Sequence, residues 1–109
     1  MLLEFDTIEE TVHQNFKGGE KTFSHSVYGD DLNRIMRGRL LSGASIGAHC
    51  HETSSEIIYI LSGTATVICD GTEETVSAGQ CHYCPKGSTH TMKNNGTEEL
   101  VFFAVVPQQ

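Results

Sequence analysis

The sequence predicts an all-β fold, a sandwich or barrel, on three observations. Short runs rich in β-branched and aromatic residues recur from about residue 22 onward. Gly, Asp and Asn separate them, and only the first fifteen or so residues carry any helical signal. At 109 residues the chain has the length of one compact domain, and residues 1–109 are read as such, with no linker or low-complexity segment.

Taken in order, TFSHSVY (22–28) reads as a strand followed by a GDD turn. NRIMRGRLL (33–41) ends at Ser42-Gly43, and SIGAHCH (45–51), EIIYILSG (56–63) and TATVIC (64–69) follow. EETVSAG (73–79), QCHYCP (80–85), HTMKN (90–94) and LVFFAVV (100–106) complete the series. Asp70-Gly71 and Asn95-Gly96 both read as hairpin turns, because these dipeptides tolerate the positive φ that tight loops demand.

Composition narrows the function classes. Fourteen acidic against seven basic residues give a net charge of -7, which opposes nucleic acid and anionic membranes. No segment approaches the roughly 20 apolar residues needed to span a bilayer. The start, MLLEFDTIEE, turns acidic after two leucines and lacks a secretion signal's basic and apolar regions, so a cytoplasmic location is expected. The four cysteines, Cys50, Cys69, Cys81 and Cys84, are then read as thiols packed as small hydrophobes.

One constellation carries chemistry. His49 and His51 are two apart on an expected strand, so alternation sends both imidazoles to one face, roughly 6.5–7 Å apart at the backbone. Both can lean toward one ion at about 2.0–2.2 Å per ligand. Cys50 points the other way. Glu52 to Ser55 reverse the chain, and Glu56 opens the next strand beside the histidines. His90 lies 39 residues after His51, past a further hairpin and the Pro85-Lys86-Gly87 turn. Each piece alone also fits a bland reading: a His-x-His pair on a strand is often surface decoration, and a strand-opening Glu is usually solvated.

The frame around these residues resembles the cupin superfamily. GASIGAHCHETSSEIIYILSG (43–63) places Gly43, His49, His51, Glu56 and Gly63 in register with the first cupin motif. GQCHYCPKGSTHTMKN (79–94) does the same for the second with Gly79, Pro85, Gly87, His90 and Asn94. Fifteen residues separate the motifs, as in compact microbial members, and the matched stretch covers about half the chain. The one departure is Gln80, where the second motif commonly has an acidic residue.

The resemblance implies a double-stranded β-helix, the jelly-roll barrel of cupins. It also implies that His49, His51, Glu56 and His90 form the family's three-histidine, one-glutamate metal site. Imidazole and carboxylate donors suit one divalent transition ion (Fe, Mn, Ni, Zn, Co or Cu) and exclude a calcium-type all-oxygen cage. Four protein ligands on a six-coordinate ion leave two positions open. The glycines and Pro85 read as turn formers, and Asn94 as turn chemistry before Asn95-Gly96.

Strand parity then nominates neighbours. Ser45 and Gly47 share a face with His49, Ile58 and Ile60 with Glu56, and Met92 with His90. Ser45, Ile58 and Met92 are therefore candidate pocket residues. Arg37 and Arg39 share one face and Arg34 the other; pointing inward, the pair would suit a carboxylate or phosphate, and pointing outward it is solvated charge. Of His82 and Tyr83, on opposite faces, one should look into the barrel as a hydrogen-bonding support. His13 and His25 carry no signal. Cys81-x-x-Cys84 sends its thiols to opposite faces of a strand, and the cysteines are read as packing.

The cupin fold hosts many chemistries, so fold cannot choose the function. The reading preferred from the sequence is a metal-dependent enzyme acting on a small molecule, dioxygenase-type first and isomerase or lyase next. The alternative is a non-catalytic module that binds a sugar or acid through its metal. A homodimer is expected, formed through the sheet edge offered by the N-terminal segment and strand 22–28.

Overall fold

Two antiparallel sheets face each other across an apolar interior in the computed structural model, which describes residues 1–109. The strands are β1 (Thr11–Gln14), β2 (Thr22–Gly29), β3 (Asn33–Leu40), β4 (Ser45–Cys50) and β5 (Glu56–Ser62), then β6 (Thr64–Cys69), β7 (Thr72–Ser77), β8 (Cys81–Cys84), β9 (Thr89–Lys93) and β10 (Leu100–Pro107). One sheet has the order β1-β2-β3-β10-β5-β8 and the other β4-β9-β6-β7. Pairing is nested: β3 with β10, β4 with β9, β5 with β8 and β6 with β7. The chain is thus a long two-stranded ribbon wound from sheet to sheet, a double-stranded β-helix.

The ribbon's tip is Asp70-Gly71, whose φ values of 49° and 82° are the left-handed pair that a two-residue hairpin requires. Alternation along β3, β5 and β10 buries every second residue. Phe23, Leu40, Ile60, Val67, Leu100 and Phe102 meet in the core from both sheets. At about 25 cal/mol per Å² of apolar area removed from water, each large side chain there contributes on the order of 2 kcal/mol.

Three expectations need correction. Residues 1–15 form no α-helix: a turn at 5–7 precedes β1, which adds itself to β2 and gains backbone hydrogen bonds that a short lone helix would not keep. Of the N-terminal segment and strand 22–28, only the former supplies the expected sheet edge, as β1, and strand 22–28 lies inside it. Asn95-Gly96 makes no hairpin, because β9 and β10 belong to different sheets and the turn carries the crossover. Asn94, fully buried, fastens that crossover by donating to the carbonyls of Leu40 and Glu98 at 2.9 and 2.8 Å.

Two local features shape the cavity described below. The β4–β9 register shifts between Ile46 and His49, a bulge that breaks strict alternation along β4. A 3-10 turn at Phe16–Gly18, with Asn15 and Lys17 at left-handed φ, lies against β4. The approach is so close that a β-carbon on Gly47 would overlap the Lys17 carbonyl, and one on Gly19 the Ser45 carbonyl.

Candidate metal centre and its cavity

The four donors nominated by the sequence come together at one point. His49 and His90 are direct cross-strand partners on β4 and β9. His51, just past the end of β4, is kept in line by hydrogen bonds from its N–H to the Ser88 carbonyl and from the Gly87 N–H to its own carbonyl. Glu56 opens β5 and reaches across from the opposite sheet. Glu56 Oε1 lies 3.0 Å from His51 Nε2 and 2.9 Å from His90 Nε2. His90 Nε2 is 3.0 Å from His51 Nε2 and 3.2 Å from His49 Nε2.

These separations fit a shared ion. Donors about 2.1 Å from one ion stand about 3.0 Å apart at octahedral angles and about 3.4 Å apart at tetrahedral ones. The observed values lie near the octahedral spacing.

The other ring nitrogens support the same reading. His49 Nδ1 donates to the Gly47 carbonyl at 2.8 Å, and His51 Nδ1 meets Ser54 Oγ at 3.2 Å. His90 Nδ1 is 3.1 Å from His82 Nε2, while His82 Nδ1 is 2.8 Å from Glu74 Oε1. One tautomer set satisfies the outward-facing bonds: each Nδ1–H points outward, which leaves the Nε2 lone pairs of His49, His51 and His90 facing the common centre, as an ion would require. His82 then accepts from His90 and donates to the half-exposed Glu74 carboxylate. Of His82 and Tyr83, His82 is the one that faces inward.

Electrostatics agree. With the proton on Nε2 instead, His51 and His90 donate to Glu56: burial pushes its carboxyl up, but these hydrogen bonds and the charge of the two rings outweigh it and bring the group down to about 2. Burial, with His90 and His51 nearby, holds His49 below the usual imidazole range despite its bond to Gly47. Glu56 is thus an anion and His49 a neutral imidazole at neutral pH. A cluster of this composition could hold a metal ion.

The donors sit in a cavity of about 230 Å³. Ile58 and Met92 line it, as strand parity predicts, together with Ile46, Met36 and Phe102. Five of the pocket candidates do not. Ser45 is buried elsewhere, its Oγ accepting the Glu20 N–H at 2.8 Å, because the β4 bulge puts Ile46 rather than Ser45 on the face of His49. Tyr83 is 54 % exposed on the outer face opposite Ile57. Arg37 and Arg39 point outward: Arg37 meets Asp6 at 2.7 Å, and Arg39 bridges Glu10 and Glu99 at 2.7 and 2.9 Å. His82 is buried but stands behind His90 rather than in the cavity.

Among the cavity residues that escaped sequence reasoning are Phe16, Lys17, His25 and Arg34. Arg34 was legible by parity, since Met36, Gly38 and Leu40 on its face are buried. His25 is 4 % exposed, with Nε2 3.1 Å from His13 Nε2 and Nδ1 without a partner. Burial, then His13 and Arg34, hold its pKa at about 4. The cysteines also depart from expectation: Cys50 and Cys81 are exposed, Cys69 is intermediate and only Cys84 is buried.

Comparison with known proteins agrees with this architecture. Residues 36–106 match the family model for the cupin domain. An oxalate-binding protein of Thermotoga maritima is 36 % identical over 98 residues, covering 84 % of this chain and 81 % of the relative. The crystal structure of a predicted oxalate decarboxylase from Thermotoga maritima superimposes with a TM-score of 0.94 at 27 % identity, over the whole of both chains. A cupin-superfamily sugar phosphate isomerase from Silicibacter pomeroyi shares the fold, with a TM-score of 0.82 at 20 % identity over all of this chain and 76 % of the other. With two wound sheets, both sequence motifs and a family match spanning most of the barrel, the chain belongs to the cupin family.

Proposed function

We propose that this cupin binds a small dicarboxylate, of the class to which oxalate belongs, through a divalent transition ion held by His49, His51, Glu56 and His90. One observation carries the proposal. The cavity that contains the four converging donors is also lined by Lys17 and Arg34, while its only carboxylate is Glu56. An acidic chain with seven basic residues thus sets two of them, both solvent-exposed, along one small cavity. That pattern suits an anionic ligand. The 36 % identical oxalate-binding relative supports the same class.

When bound, the ion supplies a Lewis-acid anchor for carboxylate oxygen. The chain's own residues do the rest. The Arg34 guanidinium offers a planar pair of donors to a second carboxylate, and Lys17 adds positive charge. His25 presents an unpartnered ring nitrogen. Ile46, Ile58, Met92 and Phe102 exclude water and limit bulk, and the volume falls below the roughly 300–1,000 Å³ of pockets for larger ligands.

Titration calorimetry of oxalate into the Mn(II)-loaded, tag-free protein tests the reading. Binding that disappears on chelation and in His51→Ala is expected. Protein shown to hold the ion yet indifferent to oxalate and malonate would sink the ligand class; protein that takes up no ion would sink the site.

A dioxygenase-type reaction is the second reading, favoured by the two coordination positions beyond the four donors. An acid–base reaction has less support, since the cavity offers no carboxylate besides Glu56. Oxygen uptake by iron-loaded protein over catechols, thiols, diketones and flavonols separates catalysis from binding alone.

Two further proposals concern the protein's surroundings. Ile57, Tyr59, Leu61 and Tyr83 form an exposed apolar stripe on the outer face of β5 and β8, which suits a homodimer. A monomeric mass by light scattering at micromolar concentration would count against it. The four free thiols suit the reducing cytoplasm.

A further inference from the structure

We infer that Cys69, His82 and Cys84 form a second metal site, thiolate-rich and suited to a borderline-soft ion of the Zn(II) class. Cys69 ends β6 in one sheet, while His82 and Cys84 lie on the inward face of β8 in the other. The two sulfurs and the imidazole nitrogen all lie within 4.8 Å of one another across the interior. Tetrahedral coordination, with metal–sulfur bonds near 2.3 Å and metal–nitrogen bonds near 2.0 Å, needs donors about 3.5–3.8 Å apart. A contraction of at most about 1.3 Å reaches that spacing.

The donors are shielded as well as close. Cys84 is fully buried, and the His82 side chain is 1 % exposed. Cys84 rests as a thiol: burial first, and Cys69 beside it, push it up to about 12. Its Sγ sits 3.8 and 3.9 Å from the carbonyls of Ser88 and Pro85. Two sulfur anions this near each other require a cation, so uptake of a divalent ion would release the thiol protons.

The donor set differs in kind from the first. Three imidazoles and a carboxylate accept many transition ions, whereas two sulfurs and one nitrogen select softer ones. The sites share no donor, but they touch. Cys69 is the cross-strand partner of His90, and Cys84 that of Glu56. Whichever ring nitrogen the second ion takes, His82 gives up its hydrogen bond to His90 or to Glu74.

Co(II), as a spectroscopic stand-in for Zn(II), tests the assignment in reduced, tag-free protein. The expected result is a near-ultraviolet thiolate-to-cobalt charge-transfer band that Zn(II) displaces. Cys69→Ser should abolish it, and neither the double variant His49→Ala/His51→Ala nor Cys50→Ser/Cys81→Ser should. Cys69 is not fully buried, so its variant spares the fold more than Cys84→Ser. No band at saturating Co(II), in protein whose four thiols titrate as free, would overturn the site. So would a band that survives Cys69→Ser or vanishes with Cys50 and Cys81.

Discussion

The two walls of the cavity come from regions built on different rules. The donor wall lies within residues 49–90, on strands whose pairing and parity follow from short-range pattern. The facing wall comes from residues 16–34, where a left-handed turn, a buried histidine and one arginine meet only because β1 and the 3-10 turn fold over β2 and β4. The donor wall decides whether an ion can be held. On the proposed reading, the other decides what can sit beside it. Chemistry and selectivity are therefore separable here, and substitutions should divide them.

The largest effect belongs to the donor wall. Glu56→Ala removes the only anion among the four donors, and bound transition metal by elemental analysis should fall more than tenfold, with ligand binding lost in parallel. Retention of a full equivalent would break the comparison at its base.

Next comes the contact between the two regions. Gly47→Ala places a β-carbon on the Lys17 carbonyl, and since backbone meets backbone no rotamer can relieve it. Urea unfolding should show a loss of about 2–3 kcal/mol. The ion should stay while the ligand is released, because the turn is displaced rather than the donors.

His25 gives a pH signature to the selecting wall. Its folded value of about 4 lies below the ordinary 6.5, so the unfolded chain takes up the proton first. Its contribution is fully present above pH 6.5 and lost as pH falls toward 4, with a size on the order of 2 kcal/mol. Urea midpoints measured from pH 7 to 4.5 should fall more steeply in the wild type than in His25→Gln. Parallel slopes would remove His25 from the account.

The smallest effect is also the sharpest contrast. Arg34→Gln should weaken oxalate binding about tenfold, roughly 1.4 kcal/mol, with metal content unchanged. Arg37→Gln should leave affinity alone and cost less than about 0.5 kcal/mol of stability, since its pair with Asp6 is solvent-exposed. Equal losses from both would mean that the cavity does not read charge through Arg34.

Much of the donor wall was legible before any coordinates. β6 runs from Thr64 to Cys69 as the alternation in TATVIC indicates, and the other expected strands fall within a residue or two of their bounds. His49, His51, Glu56 and His90 stand in two motifs whose spacing fixes their relation. What stayed hidden depends on partners distant in sequence. Ser45 was misplaced because a bulge leaves no mark in composition. Asn95-Gly96 has the chemistry of a hairpin but joins strands of opposite sheets. Cys84 pairs with Cys69 rather than with nearby Cys81, because sheet-to-sheet stacking brings the first two together and alternation parts the second two.

The bulge in β4 also limits how this strand can change. Two-residue periodicity cannot serve both of its ends, since Ile46 must face the interior and His49 must as well. Dropping one residue between them would restore a regular ladder and turn either the imidazoles or the isoleucine toward water. The length of that segment is therefore constrained as tightly as its composition, and any alignment that closes a gap there sets residues from opposite faces of the sheet side by side.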